Sequence, residues 1–199
     1  MSETLIETII YKGYSIEKHY DFNAENPFEN WDGQGRFYHW KDNGNEELAR
    51  YCELLGYDQE TREQTGKEHP DAVRIDKYEH SGISYSVAGE GMNCRWDTSH
   101  TWAVWFPDDC LLDDLKRFKT AKTRRTRCVE LARQSCKLFN QWANGEVYGF
   151  KVIDPAGNDI DSCWGYYGYE SIDEEIENQK KAIDKLIMEA AVLVPQLLN

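Results

Sequence analysis

This chain of 199 residues is marked first by what it does without. No apolar run reaches the roughly 18 residues that a membrane-spanning helix needs, so a membrane protein is not expected. The opening stretch MSETLIETIIYKGYSIEKHY sets no basic segment ahead of an apolar core, and the expectation is a chain without a signal peptide. Six cysteines, at 52, 94, 110, 128, 136 and 163, include no C-x-x-C pair. Cys128 and Cys136 fall in one expected helix, about 12 Å apart along its axis, too far for a disulfide within that helix. A reduced, cytoplasmic protein is therefore expected. G-x-S-x-G, the P-loop and H-E-x-x-H are all missing, so no motif names a reaction or calls for a cofactor or a metal. Low-complexity tracts and internal repeats are absent as well, which sets aside solenoids and disordered linkers.

Aromatic residues and acids are plentiful. Seven Trp and twelve Tyr lift the aromatic share to 13%, within 40% hydrophobic residues, a composition that folds. Thirty-six acidic side chains against 23 basic ones give a net charge of -13. The charge is uneven: residues 1–110 carry -12, residues 111–139 carry +6, and residues 140–199 carry -7. The expectation is an acidic body with one basic segment, a field that repels nucleic acid over most of its surface and attracts basic partners.

The local pattern predicts hairpins and amphipathic helices. Residues 5–22 read as two strands around Lys12-Gly13, with Ile16, Lys18 and Tyr20 on one face and Glu17 and His19 on the other. A third strand is predicted over Arg36–Lys41. Leu48, Tyr51, Cys52 and Leu55 keep helical spacing between Asn45 as N-cap and Gly56 as C′. Residues 58–71 read as an exposed loop, 72–89 as a hairpin turning at Ser81-Gly82, and HTWAVWFP as a further strand. DDCLLDDLKRF opens a short helix. A longer one over 122–142 turns Cys128, Leu131, Ala132, Ser135, Leu138, Phe139 and Trp142 inward. A last hairpin turns at Pro155–Asn158. A long C-terminal helix over 172–198 points Ile176, Ile183, Leu186, Ile187 and Ala190 inward. Together these predict an α+β fold: a mostly antiparallel sheet built from hairpins, packed against three or four helices, with residues 1–199 as a single domain.

DIDSCWGYYGYE, residues 159–170, crowds Cys163, Trp164, Tyr166, Tyr167 and Tyr169 around two glycines. Aromatics at strand ends ordinarily fill cores, and that is the expectation here; the functional reading is a stacking platform for a base or a partner's side chain. Three separated motifs, ENPFENWDGQGRF (25–37), DKYEHSGISYS (76–86) and NGEVYGFKVIDPAGNDIDSCWGYYG (144–168), carry a resemblance. Together they are similar to a family borne by phages and other mobile elements. The resemblance implies a biological setting, the cytoplasm of a host cell, and brings no catalytic residues to transfer.

Two surfaces are candidates for recognition. Carboxylates on a rigid body imitate a duplex, which offers one charge per ~1.7 Å of axis. Glu25, Glu29, Asp32, Glu46 and Glu47 in the first half, and Asp173, Glu174, Glu175 and Glu177 at the last helix, are the candidate partner-binding acids. With the mobile-element resemblance they imply a DNA mimic, an anti-defence inhibitor whose partner is a host protein that normally binds nucleic acid. The alternative is an accessory protein that contacts phosphates directly through Lys116, Arg117, Lys119, Lys122, Arg124, Arg125 and Arg127, charges that equally well pair internally or solvate a helix start. Catalytic expectations are thinner. His80, Cys94 and His100 lack the short spacings of a zinc site. Asp97, Ser99 and His100 offer hydrolase residue types without a motif, and His19, His39 and His69 have no evident partner.

Overall fold

The computed structural model describes residues 4–40 and 45–197, the side chains of Asn30, Asn45 and residues 192–197 excepted. The chain opens with the hairpin β1 (Leu5–Tyr11) and β2 (Tyr14–Tyr20), then one helical turn, α1 (Pro27–Asn30), and the strand β3 (Arg36–His39). Helix α2 (Asn45–Leu55) leads to the hairpin β4 (Val73–Glu79) and β5 (Ile83–Val87), and to the long strand β6 (Thr98–Phe106). Helices α3 (Asp109–Leu115) and α4 (Ala121–Ala143), the hairpin β7 (Val147–Ile153) and β8 (Asp159–Tyr167), and helix α5 (Tyr169–Leu197) complete it. Every strand pair is antiparallel, and the fold is α+β. Lys41 and Leu198, the far ends of two predicted elements, lie outside the described residues.

The strands divide into two four-stranded sheets, ordered β1-β2-β7-β8 and β3-β6-β4-β5. Each belongs to its own compact unit: Met1–Ala24 with Gly145–Asn199, and Glu25–Asn144. The second unit is inserted in sequence between β2 and β7 of the first. The exposed stretch near 58–71 falls inside the second unit, and only Asp71 at its end is buried.

The inserted unit is a three-layer structure. The second half of β6, Trp102–Phe106, is apolar without a break because it is buried on both sides: Ala103 and Trp105 face α3 and α4, while Val104 and Phe106 face α2. Gly35 lets the chain cross the Trp105 indole, where any side chain would collide, and the indole Nε1 donates to the Gln34 carbonyl at 2.9 Å. One free edge is deliberately closed. On α4, Asn140 exchanges hydrogen bonds with both backbone groups of Tyr85, and Asn144, one turn later, does the same with Ile83. The two amides act as a surrogate strand along β5, an edge that would otherwise offer a template for aggregation.

The terminal unit is simpler. Helix α5 crosses one face of its sheet, where Ile16, Tyr148, Phe150, Val152, Ile172, Ile176 and Ile183 form the core. The helix runs as far as the β1–β2 turn, where Lys12 and Tyr11 both reach Asp184. Past that point its side chains lose the sheet: Leu186, Ile187 and Ala190, expected inward, are exposed. The 159–170 run also departs from the core expectation. Strand β8 is an edge strand, so residues 159–165 and Tyr169 are exposed and only Tyr166 and Tyr167 are half-buried.

Candidate functional site

The face alternation along β2 decides where its charges go. Lys18 points toward α5 and is 3% exposed, with its Nζ 2.5 Å from Asp173 and 3.4 Å from Glu7. Its ammonium also lies 4.7 Å from the centre of the Tyr169 ring. Asp173 is thus the counter-ion of a buried lysine. Around it Glu170, Glu174 and Glu177 are exposed and Glu175 is half-buried. Glu175 accepts from Gln179 at 2.9 Å, and Glu177 pairs with Lys180 at 2.6 Å. Glu174 makes no ion pair among the described residues. Five carboxylates therefore line about 10 Å of helix, two of them paired with Lys18 and Lys180.

The five acids of the inserted unit do not form such a track. All are exposed. Glu29 accepts from Asn26, the N-cap of α1, and Glu46 and Glu47 occupy the first turn of α2. Asp32 lines a cleft of about 510 Å³ with Arg36 and Arg50, and Glu29 and Glu47 line a smaller one of about 230 Å³ that again includes Arg36. A cation stands among them.

Two cations of the basic segment are turned inward, three pair along the chain and two are left exposed. Arg124 grips Asp71 through two bonds of 2.7 and 2.5 Å, and Arg125 donates to the carbonyls of Pro70 and Ala72. Together they seat the 70–72 strand entry on α4. Lys116, Arg117 and Arg127 pair with Asp113, Asp114 and Glu130, each three residues away. Lys119 and Lys122 are exposed and make no ion pair among the described residues.

The aromatic run yields a second arrangement, built around Trp164. Trp164 is 42% exposed; its ring lies over Gly149, where any side chain would collide with it, and 5.7 Å from the imidazole of His19. His19 is in turn held by Glu17 at 3.0 Å and by Thr4 at 3.1 Å. Trp164 forms one wall of a cleft of about 590 Å³ lined by Thr4, Tyr20, Asp21, Phe22 and Asn23. Phe22, 68% exposed, stacks on Tyr20 at 5.6 Å with ring planes 11° apart. The spacing of large and small residues in SCWGYYG was the available signal for Trp164; nothing local marked Phe22.

The catalytic candidates separate. His80 and Cys94 both reach Oδ2 of Asp97, at 3.4 and 3.3 Å, while His100 lies 3.2 Å from Asp76. The Cys94 thiol donates to the Asp97 carboxylate and not to an imidazole, unlike the thiol of a Cys–His nucleophile pair. Where the surroundings move a pKa, they move it away from acid–base work at neutral pH. Burial pushes the thiols of Cys128 and Cys136 up to about 11 and about 12. Hydrogen bonds lower the carboxyls of Asp58, Asp71, Glu90, Asp154 and Asp184. No three His, Cys, Asp or Glu side chains among the described residues are arranged to hold a metal ion, and no described helix is long and apolar enough to cross a membrane.

Several residues of the second and third motifs quoted above serve the architecture. Asp154 closes the β7–β8 turn by accepting from Ala156 and Asn158, Gly149 seats Trp164, and Asp76 anchors the backbone N–H groups of Gly89 and Thr101. Comparison with protein-family models, with curated proteins and with solved structures finds no match to this chain.

Proposed function

We propose that this protein acts by binding, as an acidic inhibitor of phage or mobile-element type that occupies the nucleic-acid-binding surface of a host defence protein. The observation that carries this reading is the fate of the cations. In the terminal unit 15 acidic side chains face six basic ones, and Lys12, Lys18, Lys180 and Lys185 are already paired with Asp184, Asp173, Glu177 and Glu189. The excess carboxylates face outward, concentrated on the first turns of α5 and on β8. Such a body is steered onto a basic groove and imitates the phosphates that groove evolved to hold. Direct nucleic-acid contact through residues 116–127 has less to work with, since Arg124 and Arg125 are spent inside the fold.

The test is capture from nuclease-treated bacterial lysate at low and moderate salt, with mass spectrometric readout. The variant for comparison is Asp159→Lys with Asp161→Lys and Glu174→Lys, three exposed positions without ion pairs among the described residues. Asp173 is left intact because Lys18 depends on it. The expected result is a DNA- or RNA-binding protein on the wild type, weakened by salt and lost on the variant. Equal capture by both proteins, or no such protein on either, contradicts the proposal.

A further inference from the structure

We infer that the cleft between Trp164 and Phe22 is a cage for an arginine side chain of the partner. This rests on the proposal that the protein engages a basic surface, and it specifies where one cation of that surface is held. Two exposed rings, Phe22 and Trp164, line the cleft together with the carboxylate-bearing Asp21, while the ring of Tyr20, stacked on Phe22, packs on the α5 core. Ring faces carry negative potential and attract a guanidinium, which is planar, weakly hydrated and able to stack. A carboxylate among them supplies the counter-charge and a pair of acceptors for the guanidinium's donors.

The rings are already in place. Trp164 cannot settle toward the sheet without Gly149 beneath it, and His19 borders its ring. Phe22 is held against Tyr20 by stacking. The Asp21 backbone N–H donates to the Val147 carbonyl at 2.8 Å, and Oδ1 of Asp21 accepts from the Asn23 N–H at 3.1 Å. A ligand entering here orders little that is not ordered beforehand, so more of the contact energy appears as affinity.

Charge selects the occupant. The unit that holds the cleft has nine more acids than bases, whereas the inserted unit, half as long again, has four more. A nucleobase would arrive with phosphates that this field repels, and a guanidinium arrives with a charge that it attracts.

The experiment titrates the full chain with hexa-arginine amide and, separately, with a ten-nucleotide oligothymidine, by calorimetry at moderate salt. The variants are Phe22→Ala, which removes an exposed ring, Asp21→Asn, which removes only a charge, and Glu174→Gln, a carboxylate outside the cleft. Circular dichroism checks that each is folded. The expected result is that hexa-arginine binds the wild type, that Phe22→Ala and Asp21→Asn each weaken it by about tenfold, and that Glu174→Gln costs far less. Binding that tolerates both cleft variants overturns the cage and leaves the acidic-surface reading standing. Failure of the wild type to bind hexa-arginine overturns both. Oligothymidine binding that is lost in Phe22→Ala overturns the cage in favour of base stacking.

Discussion

The two units solve the same problem, burying an antiparallel four-stranded sheet, to different degrees of completion. The inserted unit covers both faces of its sheet, closes the β5 edge with Asn140 and Asn144, and draws Arg124 and Arg125 into its own structure. The terminal unit covers one face with one helix, leaves β8 exposed along seven residues, and keeps Phe22 and Trp164 in water. It also carries more than twice the charge excess on fewer residues. The contrast teaches that polar chemistry in the inserted unit is directed at its own backbone, while that of the terminal unit is left facing outward.

The largest effect that would break this comparison is expected at Asp71. Its side chain is 4% exposed and holds Arg124 through two bonds. Asp71→Ala leaves a guanidinium facing a buried gap and is expected to cost about 3–5 kcal/mol by urea denaturation. The same pair gives a pH dependence. Arg124 holds the Asp71 carboxyl below the usual aspartate value of 3.8, so the stabilisation is fully present above that value and is lost as pH falls through the lower folded one. Wild type should therefore lose stability on acidification more steeply than Asp71→Ala. Parallel pH profiles would mean that the pair contributes nothing.

A smaller effect separates two neighbours on α5. Asp173→Lys sets a second cation beside buried Lys18 and is expected to destabilise by about 1–2 kcal/mol, because Asp173 is itself largely in water and Glu7 remains. Glu174→Lys, one residue on, is expected to stay within about 0.5 kcal/mol. Equal losses in thermal melts would show that the first turns of α5 act as one structural cluster rather than as a counter-ion beside a recognition surface.

Much of the local structure was legible in the sequence. Lys12-Gly13, Ser81-Gly82 and Pro155–Asn158 mark their turns, and period-two alternation correctly sends Lys18 and His19 to opposite faces of β2. Helical spacing finds most of the buried side of α4, missing only Cys136. What was not legible depends on distant partners. Tyr20 pairs with Tyr148 across the whole inserted unit, and no composition shift marks Ala24 or Gly145 as its limits. The basic run reads as an interface until Asp71 and the carbonyls of Pro70 and Ala72 are found opposite it. Trp164 reads as core because a tryptophan in an apolar run ordinarily is; its exposure follows from β8 being an edge, which is a property of strand order and not of the strand.

The central claim is that recognition belongs to the terminal unit and architecture to the inserted one. The most direct measurement is chemical-shift mapping of the isotope-labelled full chain during a hexa-arginine titration. The expected perturbations gather at residues 20–23, 159–165 and 170–177, with the backbone of Glu25–Asn144 unmoved. Perturbations centred instead on Glu29, Asp32 and Glu47 around Arg36 would contradict the account and move the binding surface into the other unit.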